Sequence, residues 1–234
     1  MRMLSHFHGQ HSDDRSSQPA AAQSHGHLIT WARGYDLLLW GMNLLFRGKW
    51  QALRQQNIEL AQLQPGERVL EVGCGTGVIT LLAKARVGPT GQVYGIDPAA
   101  PMIQRARAKA ARQGLPIDFQ IGSIEQLAFP DHSFDVVLSS FMMHMVPDKV
   151  KRRGLTEIVR VLKPGGRLLV VDTKRPEAQA DQSARMVHTG AWNSGIQDQP
   201  ALMKEAGFVH LESGAIETGS TKLPEIGFVL ARRA

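Results

Sequence analysis

The sequence predicts an α/β fold, and three observations carry that prediction. An apolar stretch, Val69-Leu70-Glu71-Val72, runs straight into Gly73-Cys74-Gly75-Thr76-Gly77, and a helical pattern (Val78, Ile79, Leu81, Leu82, Ala83) follows at once. A second strand-like stretch ends in a carboxylate, Asp97, 24 positions after Gly73. Helical and strand-like segments then alternate to the end of the chain, with Leu162-Lys163-Pro164-Gly165-Gly166 as a sharp stop between two of them.

The glycine-rich turn sets the functional expectation. A tight turn into a helix needs glycine for its backbone angles and for close approach of a ligand to the main chain. The amides of the first helical turn then point outward. A dinucleotide fingerprint, Gly-x-Gly-x-x-Gly, would place its third glycine at position 78, where this chain has Val78; here the third glycine is Gly77. Glu71 adds a charge that discriminates between ligands. Aimed at a pyrophosphate it would repel, whereas beside a cation it attracts.

Glu71-x-Gly73-x-Gly75-x-Gly77 resembles the first motif of the class I S-adenosylmethionine-dependent methyltransferases. That cofactor has a sulfonium and an ammonium and no phosphate. Two further phrases carry the resemblance: Pro130-Asp131-His132-Ser133-Phe134-Asp135 and Leu162-Lys163-Pro164-Gly165-Gly166. Upstream, Tyr35-Asp36 followed by an apolar run is similar to the ubiquinone and menaquinone methyltransferase branch. The resemblance covers residues 65–175 by motif and 200–234 by pattern. It implies a Rossmann-like, seven-stranded, mostly parallel sheet in the order 3-2-1-4-5-7-6. The last strand is antiparallel, helices cover both faces, and an N-terminal helical lid lies over the site. The implied activity is methyl transfer from S-adenosylmethionine to a small apolar or amphipathic acceptor: a quinone precursor, a lipid or a natural product. No metal is implied. Two other readings stay open on the residues, a non-catalytic cofactor-binding module and a nucleic-acid-directed methyltransferase. A nicotinamide oxidoreductase is opposed by Gly77 and Glu71.

Size and composition narrow the partners. The 234 residues suit one domain with an ample core plus an extension, and 43% apolar content is ordinary. The one cysteine, Cys74, allows no disulfide within the chain and fits a reducing cytoplasm. A single thiol inside a glycine loop reads as a small loop residue and argues against metalloid methylation. A net charge of +6 permits attraction to nucleic acid or to an anionic membrane. The densest basic run, Lys149-Val150-Lys151-Arg152-Arg153, lacks the interleaved aromatics of single-strand binders. It reads as a solvated face; peripheral membrane contact and oligomeric state stay open. No secretory signal is visible in residues 1–27, and the apolar stretch 35–46 is too short to span a bilayer as a helix.

Three segments follow in order. Residues 1–27 read as a polar disordered tail holding five of the nine histidines. Residues 28–64 read as the helical lid, in which Tyr35 is a candidate cofactor contact. Residues 65–234 read as the methyltransferase domain, opening at the Pro65-Gly66 turn. Its first two strands are expected over 68–73 and 91–97. Asp97, followed by Pro98, either accepts hydrogen bonds from a ribose or caps the next helix. That helix, over 99–113, turns Met102, Ile103, Ala106 and Ala110 to one side. Met102 then packs on an adenine edge or in the core, and Arg105, Arg107, Lys109 and Arg112 form a solvated face.

A third strand is expected over 118–123. The family usually follows it with Gly-Asp-Ala-Glu; this chain has Gly122-Ser123-Ile124-Glu125. The Ser123 hydroxyl and the Ile124 amide are left to meet the adenine. Ser139 and His144 fall at the carboxyl end of a fourth strand, where open α/β sheets bind ligands. Ser139 joins the cofactor set. An imidazole at His144 can serve as a general base or bond a backbone carbonyl. Phe141, Met142, Met143 and Met145 are expected to wall the acceptor. A helix over 148–162, a turn and a fifth strand over 167–172 follow. The polar connection after that strand offers His188 and Trp192 as pocket residues. Two closing strands are expected at 208–212 and 226–231.

Overall fold

The computed structural model of the chain describes Gly34, Asp36, Gly41 and residues 49–175, 194–218 and 224–234. The tail, Tyr35, His188 and Trp192 lie outside the described residues. In chain order the elements are α1 (Lys49–Leu60), β1 (Arg68–Val72), α2 (Val78–Val87), β2 (Gln92–Asp97), α3 (Ala100–Arg112), β3 (Asp118–Ile121), β4 (Phe134–Ser140), α4 (Asp148–Val161), β5 (Leu162–Thr173), α5 (Gln199–Glu205), β6 (Phe208–Ile216) and β7 (Ile226–Arg233). Gly34, Asp36 and Gly41 are helical. No helix among the described residues is long and apolar enough to cross a membrane.

The strands form one sheet in the order β3-β2-β1-β4-β5-β7-β6. β1 to β5 pair in parallel, and β7 runs antiparallel between β5 and β6. Alternation along each central strand explains the two covered faces. Val69, Val136, Leu138, Leu169 and Val171 pack with Leu53 and Ile58 of α1 and Ile79, Ala83 and Val87 of α2. The intervening residues, Leu70, Val72, Val137, Leu168 and Val170, pack with Leu155 and Ile158 of α4 and Leu202 and Met203 of α5. Ile103, Ala106 and Ala110 of α3 close over Phe119 and Cys74.

One boundary differs from the sequence expectation. The Leu162-Lys163-Pro164-Gly165-Gly166 turn is absorbed into β5. Leu162 already pairs with Phe134, and the ladder resumes with Arg167 opposite Val136. The extra residues bulge out at Gly165, whose φ of 74° suits a residue without a Cβ.

α1 is fastened to both ends of the central strands, at the start of β5 and the end of β4. Near its own carboxyl end, Arg167 Nε donates to the Ala61 carbonyl and Nη2 to the Gln62 carbonyl, each at 2.8 Å. The same guanidinium holds both oxygens of Glu67 at 2.8 Å. At the other end Asn57 Nδ2 donates to Ser140 Oγ at 2.8 Å. Arg167→Met would strand two carbonyls and a carboxylate together. It is expected to lower unfolding free energy by roughly 2–4 kcal/mol in a urea titration, with Arg167→Lys recovering part of the loss.

Candidate active site

The turn between β1 and α2 has Gly73, Gly75 and Gly77 at φ of 71°, 52° and 79°. Their roles differ. A Cβ on Gly73 would lie 2.4 Å from Met142 Cγ, and one on Gly77 would lie 2.8 Å from the Phe119 ring. Those two glycines let the protein pack on itself. A Cβ on Gly75 would meet nothing within 4 Å, so there the backbone faces open space. The turn is held by Cys74 N donating to Ile96 O and Gly77 N donating to Cys74 O, both at 2.9 Å. Cys74 is buried, and desolvation with the nearby Glu71 and Asp97 charges pushes its thiol far up. It is a packing residue there.

Two carboxylates flank this open space. Asp97 Oδ2 accepts from the Gly75 amide and Oδ1 from the Ala99 amide, both at 2.9 Å. The two roles weighed for it from sequence are compatible. It ties the turn to the entry of α3 beyond Pro98, and each oxygen keeps a second lone pair. Burial pushes its carboxyl up, against the pull of those two amides. Glu71 is 2% exposed and accepts a hydrogen bond from Thr80 Oγ1 of α2. Burial drives its carboxyl up to about 8; the Thr80 bonds oppose this, and the Asp97 charge adds to it. Two acids converge on a space with no side-chain cation paired to either among the contacts described. A group bearing positive charge fits there; a phosphate does not.

A third acid, Asp36, grips the outside of the turn. Thr76 Oγ1 donates to its Oδ1 at 2.8 Å, Lys109 Nζ to Oδ1 at 2.6 Å, and Arg105 Nε to Oδ2 at 2.7 Å. Lys109 Nζ also reaches Thr76 Oγ1 at 2.8 Å. Arg105 and Lys109 are therefore not the solvated face expected of them; they bind Asp36 to α3 and the turn. Burial raises the Asp36 carboxyl, but the bonds from Arg105, Lys109 and Thr76 outweigh it and hold the group below its usual value. Burial also lowers Lys109. The two shifts pull opposite ways, and Asp36 is taken as the ionised anchor because three donors face it. The basic run of α4 is likewise paired: Arg152 with Glu205, Arg153 with Glu125, and Lys151 with Asp148 and Ser194.

At the carboxyl edge of β4, Phe141 takes a φ of 55°, rare for an aromatic residue. Its ring meets Trp50 of α1 edge-on at 6.0 Å. Met142 turns onto Gly73. Met143 is fully buried in the core beneath α4, so it is not part of an acceptor wall. His144, in the short 3₁₀ turn Met143–Met145, is bound to Asp172 at the end of β5. Ser139 Oγ is buried beside this edge with no hydrogen-bond partner among the described residues.

Beyond β3, Ser123 Oγ accepts from the Glu125 amide at 3.4 Å, and Ser123 bridges to Gln126. Ile124 is buried against Gly154 of α4, and Met102 is 3% exposed. Both side chains serve the core. Sequence reasoning missed Asp172, although an acid closing the run Leu168-Leu169-Val170-Val171 at the ligand edge was a usable signal. It also missed the Asp36 clamp.

The raised Glu71 carboxyl has a consequence for stability. The folded state holds its proton up to about pH 8, whereas an ordinary glutamate loses it near 4.5. Between those values the folded state binds more protons than the unfolded one, so stability falls as pH rises. Glu71→Gln keeps an acceptor for Thr80 and removes that slope. The melting temperature of the unliganded variant should match wild type near pH 5 and exceed it by several degrees near pH 9.

The arrangement can be compared with known proteins. Residues 69–166 match the methyltransferase domain family. The chain is 35% identical over 147 residues to the demethylmenaquinone methyltransferase of Symbiobacterium thermophilum, covering 62% of this chain and 57% of that one. It is 34% identical over 158 residues to the arsenite methyltransferase of Halobacterium salinarum, covering 65% and 40%. The chain thus spans about half the length of these curated relatives. Among solved structures, the [4+2]-cyclase SpnF superposes with a TM-score of 0.67 at 22% identity, over 79% of this chain and 80% of that one. A SAM-dependent methyltransferase from Aquifex aeolicus superposes at 0.62 and 23%, over 77% and 89%. The sheet order, the acidic glycine turn and these matches together make residues 69–166 a match to the methyltransferase domain family, and the chain is similar in sequence to demethylmenaquinone methyltransferases.

Proposed function

We propose that this protein transfers a methyl group from S-adenosylmethionine to a small apolar or amphipathic acceptor. The observation that carries the proposal is the pair of carboxylates, Glu71 and Asp97, beside the open backbone of Gly75. When bound, the cofactor supplies a methyl carbon activated on a sulfonium. The chain's own residues supply position, because alignment of reacting groups is worth up to ~7–11 kcal/mol. Glu71 would hold an ammonium, and Asp97 would accept from ribose hydroxyls with its remaining lone pairs. Gly73, Cys74 and Gly77 shape the turn, and Pro98 and Met102 hold the entry of α3. Ser123, Ile124 and the orphaned Ser139 hydroxyl offer the remaining polar contacts. Tyr35 would contact the cofactor from the segment that Asp36 anchors.

The same anchoring supports a lid role for residues 28–64, with 1–27 as a tail and 65–234 as the catalytic domain. Trp50, Phe141 and Met142 supply apolar and aromatic surface beside the glycine turn, which favours an apolar acceptor over a nucleic acid. The ion pairs of the α4 basic run argue the same way. Arsenite, the substrate named for one relative, is disfavoured because the only thiol is buried in the turn. A buried reduced thiol also suits the cytoplasm.

Fold alone does not fix a reaction, since SpnF shares the fold and is a cyclase. The test is calorimetric titration with S-adenosylmethionine, S-adenosylhomocysteine and NADH. Binding of both adenosyl compounds without NADH is expected; the reverse pattern would end the proposal. Because a cation near Glu71 displaces its proton, binding near pH 7 should release close to one proton, read from the dependence of heat on buffer. Gly75→Ala should fold at a cost of about 1–2 kcal/mol yet bind the cofactor at least about tenfold more weakly. Gly77→Ala, whose Cβ meets Phe119, should lose more stability.

A further inference from the structure

The glycine turn is soft, and it has a single polar handle. Gly73, Gly75 and Gly77 all have positive φ, so the span 73–77 has few steric walls of its own. Cys74 is fixed in the core beside Ile103, Ala106 and Phe119. Thr76 is the other residue of the span with a side chain, and it stands between Gly75 at φ of 52° and Gly77 at φ of 79°. A residue with glycine on both sides lets its two peptide planes swing unless something holds it. Here the Thr76 hydroxyl donates to Asp36 Oδ1 and accepts from Lys109 Nζ, both at 2.8 Å, which uses its one proton and a lone pair. Thr76 is 2% exposed, and a β-branched side chain so bound has little freedom about its first torsion. Asp36 is itself braced. Lys109 Nζ reaches its Oδ1 at 2.6 Å, and Arg105 Nε takes its Oδ2 at 2.7 Å. From the other side Asp97 ties the Gly75 amide at 2.9 Å. The Thr76 amide makes no hydrogen bond among the described residues, so the turn keeps a main-chain donor next to the open side of Gly75.

We infer that Asp36 is a positioning residue for the cofactor: through the Thr76 hydroxyl and Lys109 it fixes the Gly75–Gly77 backbone in the form that receives the ligand. The inference rests on the methyl-transfer reading above, which makes this space the cofactor site. The effect needs no contact between Asp36 and the ligand. A turn that holds its receiving form only part of the time binds with an affinity reduced by that fraction. The two acids thus divide the work. Asp97 holds the turn through a main-chain amide, and Asp36, 40 positions before Thr76, holds it through a side chain.

The alternative is that Asp36 only fastens itself to α3 and that the turn is rigid unaided. Amide hydrogen exchange of the unliganded protein, read residue by residue by NMR, separates the two. Thr76→Val keeps the shape and removes the hydroxyl, and Asp36→Ala removes its partner. In both, exchange at the Gly75 and Gly77 amides should rise at least about tenfold more than at Val137 and Leu138 of β4. Thr76→Ser, which restores the hydroxyl, should recover most of the protection. Calorimetric titration with S-adenosylhomocysteine is the second measurement. Thr76→Val and Asp36→Ala should each raise the dissociation constant about tenfold, and the double variant no more than about twofold beyond the weaker single, because both act through one bond. Arg167→Met, destabilised away from the turn, should bind within about twofold of wild type. Unchanged exchange in Thr76→Val, an unchanged dissociation constant in both single variants, effects that multiply in the double, or equal weakening in Arg167→Met overturns the inference. Should Asp36→Ala fail to fold, Asp36→Asn takes its place, with a smaller rise expected in the same direction and no rise overturning it. Failure of wild type to bind either adenosyl compound would remove the methyl-transfer reading, while exchange at Gly75 and Gly77 would still decide whether Asp36 holds the turn.

Discussion

A carboxyl that cannot stay charged by itself is the constraint on which the site depends. Glu71 ends an apolar strand, is almost wholly buried, and has one side-chain hydroxyl for company, from Thr80. Asp97 lies near enough to add its own charge to the difficulty. Without a cation the group keeps its proton; with one it ionises and gains a charge-assisted bond. The surrounding structure serves to bring a cation to that place and little else. The turn opens the backbone at Gly75, Asp97 ties that amide to the next strand end, and Thr80 fixes the carboxyl from α2.

The dependence runs outward from the turn. Gly77 must lack a side chain because Phe119 and Ala106 press on it, and Ala106 belongs to α3. α3 so placed presents Arg105 and Lys109 to Asp36, which also bonds Thr76 within the turn. A helix that packs one side on β3 thus carries, one turn apart, the two cations that hold Asp36 against the turn. Each charge is partly shielded from water, so the bonds weaken less with salt than an open surface pair would.

Much of this was legible in the sequence, and the parts that were not share a cause. Alternation of apolar residues revealed the central strands, since Val69, Val136 and Leu138 must face one layer while Leu70, Val72 and Val137 face the other. The glycine turn with Glu71 and Asp97 was legible because local spacing and charge define it. Arg105 and Lys109 were misread because cations on the polar side of an amphipathic helix look solvated until a distant acid is brought to them. His144 could be placed at the ligand edge, but Asp172 lies 28 positions away and meets it only because β4 and β5 are neighbours. Motifs of local geometry are visible in a chain; pairings made by strand order are not.

Phe141 shows how one strained residue divides the labour at that edge. A strand continued past Ser140 would have kept its alternation, sending Phe141 and Met143 to one face and Met142 to the other. The positive φ at Phe141 ends that alternation. Phe141 is turned instead onto Trp50 on the α1 side, Met142 folds onto Gly73, and Met143 keeps to the opposite core layer. Met143 then anchors the short 3₁₀ turn, and the anchored turn offers the His144 amide and ring together to one buried carboxylate. Strain of this kind costs on the order of 1–3 kcal/mol and persists only when several contacts insist on it. Here the aromatic contact with α1, the methionine over Gly73 and the bonds to Asp172 all insist. The cation-seeking acids lie on the α2 side of β1, while the imidazole and its carboxylate close the β4–β5 edge. Phe141 is where the chain crosses from one to the other, and its backbone angle sets which residues of that edge face each core layer.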